Sequence, residues 1–124
     1  MYKNILFPVD IEHIAETEKA LQVAIDEARR SGAKLTVMTV APGFGMPIVA
    51  TFFDEQAVKK ALKEVARHLR KYMDDSIPSD IKTDAIVMEG NPAELILKHA
   101  NKTKTDLIII ASHNSKIENL LLGS

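Results

Sequence analysis

Two periodicities of hydrophobic residues alternate along the chain, one typical of strands and one typical of helices. Four short aliphatic runs, partly interleaved with polar residues, predict strands; they cover residues 4–10, 34–40, 80–88 and 106–111. Apolar residues three and four positions apart predict a helix in each interval. The first covers residues 17–31, the second runs from its cap at Asp54 to a turn at Asp74-Asp75, and the third begins at Pro92. This order indicates an α/β fold, an open parallel sheet with helices on both faces.

Residues with special backbone or capping properties mark the ends of the predicted helices. Gly32 is expected to stop the first helix, and Asp54 to cap the start of the second. Asn91, Pro92 and Glu94 combine a cap, a proline at the first helical position and an acid three residues past the cap. The apolar residues that we expect the third helix to bury are Ala93, Ile96, Leu97 and Ala100.

Small and polar residues follow the first and fourth predicted strands. Residues 8–10 read Pro-Val-Asp, and residues 111–113 read Ala-Ser-His. Pro8 cannot donate to a central ladder, so we expect it where the backbone leaves the sheet. Ligands of open parallel sheets bind beyond the carboxyl ends of the strands, where the winding direction reverses. If these two strands are neighbours, a site lies between them, and its amides and hydroxyls suit a phosphate group.

Composition narrows the class of protein. The chain has 124 residues, of which 46% are hydrophobic and 27% charged, with a formal net charge of -1. This balance predicts one globular domain over residues 1–124 and favours neither nucleic acid nor a membrane surface as a partner. The chain has no cysteine, which excludes a thiolate nucleophile and a Cys-based zinc site. Since no basic and apolar leader precedes residue 4, we expect a cytoplasmic protein.

The connection at residues 41–53 is unusually apolar for a loop. It contains proline and glycine together with three phenylalanines and several aliphatic residues. The segment is expected to fold over the core, to cover a ligand, or to form a patch for a partner subunit. The sequence leaves these three alternatives open.

Taken in order, these residues resemble the universal stress protein family. The opening residues 1–10, Met-Tyr-Lys-Asn-Ile-Leu-Phe-Pro-Val-Asp, resemble the family's first strand with its terminal acid. Residues 90–93, Gly-Asn-Pro-Ala, resemble its entry to the third helix. Residues 106–113 followed by Leu-Leu-Leu-Gly-Ser at residues 120–124 resemble its nucleotide loop. The resemblance implies a Rossmann-like sheet of the adenine nucleotide alpha hydrolase type with strand order 3-2-1-4.

The resemblance also implies a site for ATP with Mg²⁺ and a homodimer. Asp10 would lie near the ribose or the metal-bound phosphates, an indirect metal contact through nucleotide-bound Mg²⁺. The remaining residues that it implies around the nucleotide are Pro8, Val9, Val40, Ile110, Ala111, Ser112, His113, Asn114, Gly123 and Ser124. Physical reasoning agrees on the amide and hydroxyl donors and on the acid, and it does not select adenine.

Two departures from the family pattern affect these expectations. Ala111 and Asn114 stand where ATP-binding members have glycines, and eight residues separate Asn114 from Gly123 instead of nine. This resembles a subgroup with a shorter loop, so ATP binding is still expected. The family normally continues past Gly-Ser into a fourth long helix and a fifth strand, and we expect the printed sequence, which stops at Ser124, to be incomplete there.

Other interpretations of the polar residues are weaker. His113 with Asp10 and His13 matches no metal-ligand spacing. Asp10 also has a purely structural interpretation, because an acid at a strand end often caps the next turn. Neither a Walker lysine nor a nucleophile with its base is present, so at most slow ATP hydrolysis is expected. A phosphorylated receiver domain is a weaker alternative, because the acid pair that such a domain has after its first strand is absent from this sequence. The main rival is an adaptor or dimerisation module that uses residues 41–53.

Overall fold

A computed structural model describes residues 1–41 and 55–112, and in these ranges strands and helices alternate as the sequence predicts. The elements in chain order are β1 (Asn4–Val9), α1 (Glu18–Ser31), β2 (Lys34–Ala41), α2 (Glu55–Ser76), β3 (Thr83–Glu89), α3 (Pro92–Lys102) and β4 (Leu107–Ile108). A 3-10 segment at Ile11–Thr17, which the sequence pattern did not predict, joins β1 to α1. The predicted cap Asp54 and all of the apolar connection after Ala41 lie outside the described residues.

The four strands form one parallel sheet in the order β3-β2-β1-β4, which confirms the expected order. Phe7 of β1 lies opposite Val37 of β2, and Leu6 lies opposite Ile108 of β4. The chain adds β2 and β3 on one side of β1 and then returns to add β4 on the other side. The winding direction therefore reverses between β1 and β4, and the crevice for a ligand is expected at their carboxyl ends.

Helices cover both faces of the sheet. Alternate β1 residues face opposite sides: Ile5, Phe7 and Val9 belong to a core cluster with residues of α1 and α2, whereas Leu6 packs with α3. The first cluster contains side chains that are almost fully buried, among them Leu35, Val37, Ala24, Ala28, Leu69 and Met73. This two-layered core fixes the register of β1, because a one-residue slip would exchange its two faces.

The fourth strand is shorter than predicted, and Pro8 gives a physical reason. The pattern predicted a strand over residues 106–111, but β4 covers only Leu107–Ile108. The ladder toward β4 includes the bonds from the Asp106 and Ile109 amides to the Asn4 and Leu6 carbonyls. The next donor on that side of β1 would be the amide of Pro8, which proline lacks. Pro8 is nevertheless still paired with β2, opposite Met38, and lies one residue before the strand end.

The buried face of α3 differs from the predicted one. Ala100 is buried and Ile96 half-buried, as expected, but Ala93 is exposed and Leu97 is 61% exposed. Leu95 instead packs with the core cluster on that face of the sheet. The helix is thus rotated so that residues 95, 96 and 100 face the sheet, because the spacing of apolar residues alone fitted either face.

Helix and strand ends follow local chemistry. Gly32 ends α1 in the left-handed region (φ 68°), and Asn91 caps α3 by accepting a 3.0 Å hydrogen bond from the Glu94 amide. Gly32 and Asn91 are therefore confirmed as helix boundaries. Strand β3 was predicted from residue 80, but it begins at Thr83. A turn precedes it, in which the Ile81 amide donates a 3.2 Å hydrogen bond to the Pro78 carbonyl.

Candidate functional site

The carboxyl ends of β1, β2 and β4 meet at one edge of the sheet. β1 lies between the other two, and its last residue, Val9, is in register with Thr39 of β2. The pairing of β4 with β1 ends at Ile108 and Leu6, and the chain then leaves the sheet on that side of β1. The predicted site residues that lie near or just after the carboxyl ends of these strands are Pro8, Val9, Asp10, Val40, Ile110, Ala111 and Ser112. The other four, His113, Asn114, Gly123 and Ser124, lie outside the described residues.

Asp10 is the acid of this edge, and its carboxylate is held by its own turn. The backbone is extended at Asp10 (φ -99°, ψ 109°), so the side chain can cap the 3-10 segment that follows. Oδ1 accepts a 3.0 Å hydrogen bond from the Glu12 amide. Oδ2 lies 2.9 Å from Nδ1 of His13. The capping interpretation of Asp10 is therefore correct, while the side chain remains 56% exposed at the site edge.

His13 closes the same turn from both its backbone and its ring. Its amide donates a 3.0 Å hydrogen bond to the Asp10 carbonyl, and its own backbone (φ -124°, ψ 39°) departs from helical values. Because a carboxylate only accepts, Nδ1 must carry the proton in this contact. The hydrogen bond and the charge of Asp10 raise the pKa of His13 above 6.5, and Glu16 and Glu12 add smaller contributions in the same direction.

The ends of β1 and β2 are apolar and packed. Val9 and Ala41 are buried and Val40 is half-buried; Val9 packs with α1 and α2, whereas Val40 packs on the face covered by α3. Thr39, only 3% exposed, donates a 2.9 Å hydrogen bond from Oγ1 to the Val9 carbonyl. This bond ties β1 to β2 near the ends of both strands.

The residues after β4 form the third part of the edge. Ile110 is 66% exposed, Ala111 is half-buried and Ser112 is exposed. Small residues allow a ligand to approach the backbone closely, and the Ser112 hydroxyl can donate or accept a hydrogen bond. This segment thus adds exposed polar groups after the end of β4.

The 3-10 segment that carries His13 is anchored to α2. Thr17, only 2% exposed, donates a 2.6 Å hydrogen bond from Oγ1 to the Ile14 carbonyl and lies 2.9 Å from the Tyr72 hydroxyl. Burial raises the pKa of Tyr72, with an opposing effect from the bond to Thr17. The segment is therefore fixed at its far end as well as at Asp10.

Sequence reasoning missed three parts of this arrangement: the 3-10 segment, the bond from Thr39 to Val9 and the contact of His13 with Asp10. The signal for the third was the spacing, since an acid at a strand end with histidine three residues later can close one turn.

Among the described residues, no group of three or more acidic or histidine side chains could hold a metal ion. Within the same ranges, no helix is long and apolar enough to cross a membrane.

The strand order and the helices on both faces define an open parallel α/β protein whose topological switch point lies between β1 and β4. The model of the universal stress protein family matches residues 1–124. The chain therefore belongs to the universal stress protein family.

Relatives match over the whole chain. A universal stress protein of Thermus aquaticus is 31% identical over an alignment of 125 positions, which covers 100% of this chain and 88% of that protein. The universal stress protein MJ0531 of Methanocaldococcus jannaschii is 29% identical over 129 residues, 100% of this chain and 73% of the relative.

Solved structures show the same fold. A universal stress family protein from Burkholderia pseudomallei has a TM-score of 0.64 at 23% identity, covering 98% of this chain and 89% of the other. The Archaeoglobus fulgidus universal stress protein solved in complex with dAMP has a TM-score of 0.53 at 21% identity, covering 88% and 80%. The Arabidopsis thaliana family protein solved with AMP bound has a TM-score of 0.54 at 12% identity, covering 89% and 76%.

Proposed function

We propose that this protein is a nucleotide-binding regulatory protein of the universal stress type that binds ATP with Mg²⁺ at the ends of β1 and β4. The observation that carries the proposal is the strand order, which places β1, followed by the exposed Asp10 carboxylate, next to β4, followed by residues 110–112, at the switch point of the sheet. Family membership and the relatives solved with adenine nucleotides support the same class of ligand.

The described residues fit an adenine nucleotide in their chemistry. The half-buried Val40 supplies apolar surface of the kind that a base requires, and the carboxylate of Asp10 can accept from a ribose hydroxyl. Ser112 and the backbone of the small residues before it supply polar groups for phosphate. In this proposal, His113, Asn114, Gly123 and Ser124 complete the phosphate contacts.

The charge of the edge explains why Mg²⁺ belongs in the proposal. Asp10, Glu12 and Glu16 are exposed acids on one short segment, and like charges repel the phosphates of a nucleotide. Bound Mg²⁺ neutralises part of the phosphate charge. In this proposal the ion is carried by the phosphates of the nucleotide.

Calorimetric titration with ATP, with and without Mg²⁺, tests the proposal. Asp10→Asn should weaken binding of the magnesium complex about tenfold, the scale of one charge-assisted hydrogen bond. Asp84→Asn is the matched control, because Asp84 is near the amino end of β3 and pairs with Lys34. Folded protein that binds no ATP at millimolar concentration would refute the proposal and favour the adaptor interpretation. In our proposal the protein also acts as a homodimer, which the molar mass in solution would test.

A further inference from the structure

We propose that His13 is a positioning residue of the nucleotide site, which holds the Asp10 carboxylate in the orientation that meets the ligand. The inference rests on the proposed function and adds to it a residue for which the family resemblance implied no role. Its basis is the geometry of one turn at the end of β1.

The two oxygens of Asp10 have different partners on the following residues. Oδ1 accepts from the Glu12 amide at 3.0 Å, and Oδ2 is 2.9 Å from Nδ1 of His13. The terminal torsion of an aspartate is broad when nothing restrains it. Partners on both oxygens restrict the plane of the carboxylate more than a partner on one oxygen does. His13 is therefore a group that orients the capped aspartate.

The position of the His13 ring is itself restrained. The His13 amide donates to the Asp10 carbonyl at 3.0 Å, and the backbone of His13 leaves helical geometry at the residue whose ring returns to Asp10. Farther along, Thr17 fixes the same segment to Tyr72 of α2. The segment that carries the ring is thus fixed to β1 at one end and to α2 at the other.

Global stability is a poor explanation for this pair. The side chains of Asp10 and His13 are each 56% exposed, and exposed ion pairs contribute little to folding free energy. The pair also lies at the carboxyl end of the central strand, beside the end of β4, where ligands of this fold class bind. An exposed pair that adds little stability at a ligand edge is explained better by orientation of the acid.

Calorimetry with ATP and Mg²⁺ on four proteins tests the inference. We expect His13→Ala to weaken binding about fivefold, the scale of one exposed hydrogen bond to a charged group. His13→Asn should bind within about twofold of the unchanged protein, because its Nδ2 occupies nearly the place of the histidine Nδ1. The matched control is His68→Ala, an exposed histidine on α2, which should bind normally.

A double-mutant cycle separates positioning from direct contact. If His13 acts through Asp10, Asp10→Asn combined with His13→Ala binds no more weakly than Asp10→Asn alone. Additive losses, or a His13→Asn variant as weak as His13→Ala, would overturn the inference in favour of direct contact of His13 with the nucleotide. We expect the melting temperature of every variant to lie within about 3 °C of that of the unchanged protein, as for other surface substitutions.

The outcomes also distinguish this inference from the proposed function. If the unchanged protein binds no ATP, both fail. If it binds ATP and His13→Ala binds equally well, only the role of His13 fails. Should His13→Ala not fold, His13→Gln replaces it, since its amide donor is one bond too far from the backbone; equal binding by His13→Gln and His13→Asn would then overturn the inference.

Discussion

A single carboxylate at the end of a central strand can serve its own turn and a ligand at the same time. Asp10 caps the 3-10 segment through Glu12 and contacts His13, yet more than half of its side chain is exposed. A carboxylate has about four acceptor positions, so capping does not preclude a ligand contact. At this scale, the structural and the functional interpretations of an acid are compatible.

The titration of His13 gives a direct measure of this contact. Nuclear magnetic resonance of the imidazole signals should show a His13 pKa above 6.5, which returns toward 6.5 in Asp10→Asn, because the bond to Asp10 is the main cause of the shift. Burial lowers the pKa of His13, and Glu16 and Glu12 add smaller contributions that raise it.

The sign of the pH effect follows from the direction of the shift. A histidine whose pKa is raised on folding adds stability below its unfolded value, and that stability is lost as pH rises through the folded pKa. We therefore expect the contact to weaken on passing from slightly acidic to alkaline pH. A His13 pKa at or below 6.5, assigned with His13→Asn, would contradict the geometry of the turn.

Individual elements are fixed by their ends as much as by their apolar faces. α3 begins where the Asn91 side chain accepts from the Glu94 amide, with Pro92 at the first helical position. β4 begins where Asp106 accepts from the amides of Lys3 and Asn4 at 2.9 and 3.0 Å. The Asn91 contact is local in sequence, and the Asp106 contact is specific in geometry. We therefore expect a separate loss of stability when each contact is removed.

Removal of the α3 cap should destabilise the protein without affecting its sheet. Asn91→Ala is expected to lower the free energy of unfolding by about 1 kcal/mol, the usual cost of losing a capping side chain. Asn101→Ala in the same helix is the control and should be neutral or slightly stabilising, because alanine is the better helix former. Urea denaturation measures both, and equal losses would exclude the capping role of Asn91.

The anchor of β4 predicts an acid-dependent stability. The amides of Lys3 and Asn4 lower the pKa of Asp106 below 3.8. A depressed pKa adds stability above the unfolded value, and that stability is lost as pH falls through the folded pKa. Asp106→Asn should therefore be less stable at neutral pH and lose less stability below about pH 4. If the free energies of unfolding of the unchanged protein and of Asp106→Asn changed equally with pH across that range, the role of Asp106 as an anchor of β4 would be contradicted.

For the whole molecule, most of the fold was predictable from the sequence and part of the site was not. Alternating periods predicted the parallel sheet and its helices, and the resemblance implied the confirmed strand order. Spacing could not show that Leu97 faces outward, because α3 has apolar residues on both candidate faces. It also gave no sign that Pro8 would shorten β4, since that effect depends on which side of β1 each amide faces.

The location of the candidate site was predictable from the sequence, but the contacts between its residues were less so. The edge at β1 and β4 followed from topology, and seven of the residues implied by the resemblance come near or just after the strand ends at that edge. The contact of His13 with Asp10 depends on a backbone departure within the 3-10 segment, which periodicity does not encode. Binding by the seven residues, and the roles of the four outside the described ranges, stay predictions.

Amide chemical-shift mapping during a titration with ATP and Mg²⁺ tests the central claim most directly. The account predicts that the largest shifts fall on Val9, Asp10 and residues 110–112, at the carboxyl edge of the sheet. Lys34, at the amino end of β2, should be unaffected. Saturable shifts centred on the amino edge of the sheet or on α2, with the carboxyl edge unchanged, would contradict it.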